Sequence, residues 1–157
     1  MKFTSPLIVV ENMEKARAFY EKVLNQTVIL DFGANITFTG DFSLQTKSTW
    51  QDFIGKEKKV TEKSNNFELY FEEENFEAFL SHLHTFEQIE YVHGVKEYPW
   101  GQRVVRFYDP DGHIIEVGES MRTVIRRFLA SGMSVEDAAE RSQFPVAFVE
   151  SCMEEKT

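Results

Sequence analysis

Glu116 lies in an otherwise largely apolar segment of the sequence, which reads HIIEV. The preceding run Gln102–Tyr108 carries Arg106, and the segment DPDG between the two runs has the composition of a tight turn. Carboxylates are seldom placed inside apolar strands without a partner. Glu116 could therefore pair with Arg106, bind a cation, contact a ligand directly, or act as a general base.

Two strands joined by this turn would bring the candidate side chains together. Because successive side chains of a strand point to opposite faces, Arg106 is predicted on the face opposite Val105 and Phe107. Glu116 is likewise predicted on the face opposite Val117. A cross-strand pair between Arg106 and Glu116 would satisfy the carboxylate.

Aromatic residues are the second group of candidates. The chain has 15 Phe, 5 Tyr and 2 Trp among 157 residues. Trp50 and Phe53 lie in Ser48–Gly55, which reads as a loop or short helix, and Trp100 opens the predicted hairpin. Such side chains line ligand sites because they offer a large contact area. Packing in the core or at a dimer interface is the alternative.

The composition excludes several classes of partner. The net charge is −9, whereas nucleic acids and anionic membrane surfaces require a basic face. The single Cys152 fits a reducing compartment, and no apolar run approaches the length of a membrane span. The glycines form no phosphate-binding loop. We expect a cytoplasmic protein without nucleic-acid or membrane partners.

The same order of elements, β-α-β-β-β, is predicted twice along the chain. In each half a strand precedes a helix, which begins after Asn12 in the first half and after Asn75 in the second. The offset that relates these residues also relates Ser5 to Glu68, and the polar segment Lys56–Asn66 reads as a linker. Two similar halves indicate an internal duplication. Each half would pack one helix on a small antiparallel sheet and leave the other face concave.

Residues 120–157 stand outside this repeat. Helices are predicted at Met121–Ala130, after Ser134 and after Pro145, in an order similar to a helix-turn-helix. The acidic residues of this segment are Glu136, Asp137, Glu140, Glu150, Glu154 and Glu155. Because they offset its arginines, we predict a packing appendage that covers a sheet edge or a dimer seam. The predicted fold class is α+β, with two βαβββ modules in residues 1–119 that form a concave antiparallel sheet, plus this C-terminal helical extension.

Two segments resemble a known superfamily. ENMEKARAFYEKVL (Glu11–Leu24) is similar to its first helix, and PWGQRVVRFYDPDGHIIEV (Pro99–Val117) is similar to its closing hairpin. The superfamily is the vicinal oxygen chelate group, which includes glyoxalase I, bleomycin-resistance proteins, fosfomycin-modifying enzymes and extradiol dioxygenases. The resemblance covers about residues 3–118. It implies a homodimer in which each pocket is built from both chains.

In the enzymes of this superfamily a divalent metal lies on the concave face, and the resemblance places its ligand positions at Ser5, Glu68 and Glu116. Glu116 is the residue that the superfamily has there, but histidine is common at the other two positions. A serine hydroxyl is a poor ligand for zinc or iron. The four histidines, none of which is expected to complete the set, are His82, His84, His93 and His113. His113 is expected to be solvated, and we predict neither a metal nor another cofactor.

These observations predict a small-molecule binding protein of the glyoxalase/bleomycin-resistance type, without catalytic residues. Its ligand would be aromatic or cationic and would bind in a partly acidic concave pocket. The predicted ligand-binding residues are Ser5, Trp50, Phe53, Glu68, Tyr70, Trp100, Arg106 and Glu116. One alternative is a metal-dependent lyase, isomerase or transferase that uses Glu68, Glu116 and Gln45 or water. Another is a regulator in which the C-terminal helices bind a macromolecular partner.

Overall fold

The computed structural model describes residues 1–153, so residues 154–157, which include Glu154 and Glu155 of the predicted appendage, lie outside the described residues. The chain divides into two compact units. Unit 1 comprises residues 1–67 and 108–114, and unit 2 comprises residues 68–107 and the described residues from 115 onward. The predicted order β-α-β-β-β occurs twice, and the α+β class is confirmed. Among the described residues, no helix is long and apolar enough to cross a bilayer.

Unit 1 contains a four-stranded sheet with the strand order β1-β4-β3-β2. Its elements are β1 (Leu7–Val10), α1 (Met13–Lys22), β2 (Val28–Asp31), β3 (Asn35–Phe38), β4 (Phe42–Thr46) and α2 (Lys47–Ile54). The predicted cap Asn12 accepts a hydrogen bond from the backbone N–H of Lys15. The prediction of an antiparallel sheet is wrong at the pairing of β1 with β4, which run parallel. The segment between these two strands contains α1, β2 and β3 and is long enough for a parallel pairing, which a short hairpin cannot provide.

The core of unit 1 is built from aromatic side chains on α1 and on the sheet. The ring of Tyr20 lies 5.5 Å from that of Phe38 and 5.4 Å from that of Phe42. Phe38 and Phe42 are stacked at 4.9 Å. Ala16 and Tyr20 on α1 are fully buried, because helical spacing places them on the face that packs on the sheet.

Unit 2 contains the second four-stranded sheet, with the strand order β5-β8-β7-β6. Its elements are β5 (Glu68–Glu73), α3 (Phe76–Leu83), β6 (Tyr91–Glu97), β7 (Arg103–Tyr108) and β8 (Ile114–Glu119). Asn75 caps α3 as predicted, since its side-chain oxygen accepts a hydrogen bond from the backbone N–H of Ala78. Phe76, Phe79 and Leu83 form the buried face of this helix.

Three C-terminal helices belong to unit 2 and have an apolar cluster of their own. They are α4 (Met121–Ala130), α5 (Val135–Ser142) and α6 (Val146–Met153). Phe128 and Val149 are buried in this cluster, and Trp100 packs against it. Arg127 donates hydrogen bonds to the Gly101 carbonyl at 2.7 Å and to the Glu119 carboxylate at 3.0 Å. The helices are therefore attached to the β6–β7 connection and to the end of β8.

Glu119 is a buried carboxylate that the sequence interpretation did not identify. It is 2% exposed and pairs with Arg103 and Arg127, each at 3.0 Å. Burial alone would raise the pKa of the Glu119 carboxyl group, but the two guanidinium groups outweigh this effect and lower it. Glu119 thus stabilises the junction between β7, β8 and α4 as a charged group.

Candidate functional site

The predicted pair between Arg106 and Glu116 is present and belongs to a larger network. Nη2 of Arg106 contacts the Glu116 carboxylate, and Nε donates a hydrogen bond to Oε2 of Glu68 at 2.9 Å. Nη1 donates to the Tyr98 hydroxyl at 2.7 Å and lies 3.3 Å from Nε2 of His93. All three guanidinium nitrogens therefore have partners.

The strand order explains how one arginine reaches two carboxylates. Glu116 is on β8, which lies between β5, with Glu68, and β7, with Arg106. The Glu68 side chain is 39% exposed, but that of Glu116 is 9% exposed. Burial alone would lower the pKa of Arg106, whereas Glu68 and Tyr98 raise it, and the net shift is upward. The arginine stays charged and neutralises the more buried carboxylate.

This set of residues does not fit a divalent ion. The guanidinium group of Arg106 already forms ion pairs with the carboxylates of Glu68 and Glu116. Its positive charge would repel a cation placed beside it. Ser5, in unit 1, donates its hydroxyl hydrogen to the Pro6 carbonyl and lies 3.2 Å from the Ser43 hydroxyl. Within residues 1–153, no three His, Cys, Asp or Glu side chains are grouped as metal ligands. The predicted ligand positions therefore have other partners.

A cavity of about 430 Å³ that is broadly open to solvent lies in unit 2. Residues of the sheet and its connection that line it are Tyr70, Glu72, Trp100 and Gln102, and residues of the C-terminal segment are Met121, Ser142, Gln143 and Phe144. Its volume falls in the usual range of small-molecule sites, about 300–1,000 Å³. Tyr70 shares the period-two face of β5 with Glu68. Tyr70 therefore contributes to the cavity from the same face of the sheet that carries the Arg106 network.

Hydrogen bonds fix the polar wall of this cavity. Gln102 donates from Nε2 to the Tyr70 hydroxyl at 2.8 Å and to the Glu119 carbonyl at 2.9 Å. Its Oε1 accepts from Nε1 of Trp100 at 3.2 Å. The Tyr70 hydroxyl donates to Oε1 of Glu72 at 2.9 Å. The chain of bonds from Trp100 to Glu72 holds two aromatic rings in place.

The ionisation of Tyr70 follows from these contacts. Burial raises its pKa most, Glu72 raises it further, and the bond from Gln102 lowers it, so the pKa rises to about 12. Tyr70 therefore keeps its proton at neutral pH and can continue to donate to Glu72. Glu72 is the ionisable carboxylate of the cavity lining, and no lysine or arginine is among the described residues that line it.

The predicted site residues fall into three groups. Glu68, Arg106 and Glu116 meet in the network, and Tyr70 and Trp100 line the cavity. The remaining three belong to unit 1, where Ser5 is bonded to Pro6 and where Trp50 and the exposed Phe53 lie on α2. Their role in ligand binding stays a prediction, as does that of the other five.

Several residues of the network and cavity were missed by the sequence interpretation. Glu72 could have been found, because it follows Glu68 and Tyr70 at period two on the same face. Tyr98 and His93 carry no such signal, since their contact with Arg106 depends on how β6 pairs with β7. Gln143 lies far along the chain from the strands, and no local pattern marks it.

His113 is half-buried, with 25% of its side chain exposed, and so it is less solvated than predicted. Its Nδ1 lies 2.9 Å from Oδ2 of Asp109, whose side chain is fully buried. Asp109 also accepts hydrogen bonds from the Tyr20 hydroxyl and from the backbone N–H groups of Asp111 and His113. Burial alone would lower the pKa of His113, but Asp109 and Asp111 outweigh it, and the net shift is upward. The histidine is a partner of the turn aspartate in unit 1.

Replacing His113 with glutamine is expected to change the pH dependence of stability. Because the folded-state pKa is raised, protonated His113 stabilises the fold fully below its unfolded pKa of about 6.5. That contribution is lost as pH rises through the folded-state pKa. Urea unfolding across this window should show a falling free energy of unfolding in the parent protein and a flatter profile in His113→Gln. His84→Gln, at an exposed position, is the control. Equal profiles for His113→Gln and the parent would contradict the assignment.

Comparison with known proteins connects these features to a family. A family model described as "Glyoxalase-like domain" matches residues 3–122. A protein of unknown function from Agrobacterium tumefaciens str. C58 is 34% identical, with a TM-score of 0.69 and coverage of 76% of this chain and 94% of that chain. No curated protein matches the chain.

Two further solved structures share the fold at lower identity. A glyoxalase/bleomycin resistance protein/dioxygenase from Nocardioides is 20% identical, with a TM-score of 0.61 and coverage of 76% of this chain and 83% of that chain. A glyoxalase-related enzyme from Fulvimarina pelagi is 17% identical, with a TM-score of 0.64 and coverage of 76% and 88%.

The matched region contains the residues on which the resemblance was based. Both Glu11–Leu24 and Pro99–Val117 lie within residues 3–122, as does the whole Arg106 network. Helices α5 and α6 lie beyond it. The predicted resemblance is confirmed, and the chain belongs to the glyoxalase-like domain family of the vicinal oxygen chelate superfamily.

Proposed function

We propose that this chain is a small-molecule binding protein that holds an aromatic or cationic ligand in the unit 2 cavity and performs no metal chemistry. The observation that carries the proposal is the cavity itself, with a volume of about 430 Å³. Its lining combines aromatic rings, an amide and a carboxylate, which is the mixture of apolar surface and few oriented polar groups that small-molecule sites use.

The chemistry of the lining supports binding over catalysis. Tyr70 is engaged as both donor and acceptor, and its pKa of about 12 makes it a poor base at neutral pH. The Ser142 hydroxyl is directed to the Ala139 carbonyl at 3.4 Å, and no histidine is among the described residues that line the cavity. An activated nucleophile needs an adjacent base, and the carboxylate of the lining, Glu72, accepts its hydrogen bond from the Tyr70 hydroxyl and not from Ser142.

The contacts of Arg106 support a function that does not use a bound metal. Both carboxylates at the superfamily's ligand positions already neutralise a guanidinium group, and His93 contacts that same group. A metal would have to displace Arg106 from the largely buried Glu116. The proposal therefore assigns this network to holding the sheet and assigns ligand contact to the neighbouring cavity.

A tryptophan experiment tests the site. Trp50→Phe leaves Trp100 as the sole tryptophan, and we expect its fluorescence to change saturably when compounds from a panel of small aromatic cations, neutral molecules and anions are added. Trp100→Phe should weaken binding of the same compound up to about tenfold, because the smaller ring offers less contact area and cannot donate the hydrogen bond from Nε1 that fixes Gln102. Affinity should be unchanged by a metal chelator.

Two outcomes would contradict the proposal. A saturable signal from Trp50 in the Trp100→Phe protein, with undiminished affinity, would place the ligand outside this cavity. Loss of binding after chelation, restored by a divalent ion, would favour the metal-dependent alternative. The reciprocal tryptophan variants serve as controls for each other, since each keeps one reporter and the same net charge.

A further inference from the structure

We infer that the connection between α5 and α6 forms one wall of the ligand site, and that the occupant is an organic cation that carries an aromatic ring. The inference rests on the proposed function and assigns a ligand class and a specificity determinant to the same cavity. Its basis is that Ser142, Gln143 and Phe144 line the cavity together with residues of the sheet.

This wall comes from a part of the chain outside the glyoxalase-like match, which ends at residue 122. Ser142 is the last residue of α5, and α6 begins at Val146. The three residues 142–144 therefore form a short corner that begins at the end of α5, and they are the residues of the α5–α6 region in the described lining. A chain that ended with the matched region would leave this side of the cavity open.

The corner is held in place by packing, by a cation–π contact and by an ion pair. Phe144 packs against the apolar cluster of the C-terminal helices, and its ring lies 4.7 Å from that of Phe148. The guanidinium group of Arg141 lies 4.4 Å from the Phe128 ring centre and pairs with Glu97 of β6 at 3.4 Å. The wall is thus fixed within the same unit as the strands with which it lines the cavity.

Gln143 has a backbone conformation that favours glycine. Its φ is 63°, in the left-handed region, which is unfavourable by roughly 1–2 kcal/mol for a residue with a Cβ atom. The residue ends α5 at the position where helices often have glycine. The chain therefore carries a glutamine side chain beside the cavity at a position where glycine would be more stable.

The ligand class follows from the charge and rings of the lining. Glu72 is the ionisable carboxylate of the cavity, and no lysine or arginine lines it among the described residues. Tyr70, Trp100 and Phe144 add aromatic surface, which attracts organic cations through the negative faces of the rings. A carboxylate or phosphate ligand would be repelled by Glu72, whereas an aromatic cation would interact favourably with both features.

Charge preference is tested with N-methylacridinium, its neutral parent acridine, and acridine carboxylate, in near-neutral buffer and with the full chain. By titration calorimetry we expect the cation to bind at least about tenfold more tightly than acridine, and the anion to bind most weakly. Glu72→Gln should lower the affinity for the cation about tenfold and leave that for acridine unchanged. Glu87→Gln, at an exposed position outside the cavity, makes the same change in net charge and should have no effect.

The wall is tested with two substitutions chosen to preserve the fold. Gln143→Gly removes the side chain and relieves the backbone, and Phe144→Leu keeps an apolar side chain but removes the ring. Each should lower the affinity for N-methylacridinium about three- to tenfold. Val146→Ala, at an exposed position on α6 outside the lining, is the control and should not change it.

The possible results separate this inference from the proposed function. If the cation binds but Gln143→Gly and Phe144→Leu match the parent protein, the wall is not part of the site and the inference is overturned. If acridine binds as tightly as the cation, the assigned ligand class is wrong, although the proposed binding function stands. If no compound of the set binds saturably, the proposed function fails and the inference fails with it.

Discussion

Replacing Arg106 with leucine is expected to lower the free energy of unfolding by about 3–5 kcal/mol at neutral pH. The substitution removes the guanidinium group from Glu116, whose side chain is 9% exposed. A carboxylate left in that position has neither a counter-charge nor enough water to solvate it. Glu68 also loses its partner, but its side chain is 39% exposed and water can replace the arginine. Most of the loss is therefore assigned to Glu116.

The cause of this loss can be separated from the loss of packing. The double variant Arg106→Leu with Glu116→Gln leaves no buried charge, and we expect it to recover most of the stability lost in the single variant. Urea unfolding of the two variants and the parent protein at neutral pH measures this recovery.

Two further observations complete that experiment. Arg126→Leu, at an arginine of α4 that donates one hydrogen bond to the Cys152 carbonyl at 3.0 Å, removes no partner from a buried carboxylate and should have a smaller effect. If the double variant is as unstable as Arg106→Leu, the loss arises from packing of the arginine side chain rather than from the buried charge. The assignment of the network to structural stabilisation would then need a different physical basis.

The sequence predicted correctly those features of the structure that depend on residues close together in the chain. The alternation around Arg106 and the DPDG turn predicted the pair with Glu116, because a short turn fixes which residues of two strands face each other. Asn12 and Asn75 were predicted as caps, because capping depends on one side chain and the first turn of its own helix. The duplicated order of elements followed from such local patterns repeated along the chain.

The sequence was insufficient where contacts join distant segments. Glu68 reaches Arg106 only because β8 lies between β5 and β7, an order that no local pattern specifies. Glu119 was missed because its partner Arg127 lies on the following helix and its other partner on another strand. The cavity depends on the corner at Gln143, which is distant in sequence from Tyr70. Predicting it requires the packing of α4–α6, which periodicity describes only as an apolar face.

Replacing Gly101 with alanine is expected to lower the free energy of unfolding by about 2–5 kcal/mol, the combined effect of a left-handed backbone and an overpacked core. Gly101 has a φ of 84°, and a Cβ atom there would overlap with Cζ of Phe128. Phe128 is 2% exposed in the apolar cluster of the C-terminal helices, so its ring has little room to move away. Both unfavourable effects therefore act at one position.

Gly132→Ala is the matched control for this substitution. Gly132 has a similar φ of 94°, but no atom lies within 4 Å of the position of a Cβ. It should therefore show only the backbone effect of about 1–2 kcal/mol. The difference between the two variants in urea unfolding isolates the contact with Phe128. Equal losses would mean that the ring moves freely and that the junction is less tightly packed than the distances indicate.

Gly101→Ala should also change the cavity, because its neighbours Trp100 and Gln102 both line it. Displacing Phe128 would move the Trp100 ring, which packs against the same cluster, and would weaken the bond from Trp100 to Gln102. We therefore expect the folded fraction of the variant to bind N-methylacridinium about tenfold more weakly. Gly132→Ala should retain the affinity of the parent protein. Unchanged affinity in Gly101→Ala, measured where it remains folded, would show that ligand binding does not depend on this attachment of the C-terminal helices.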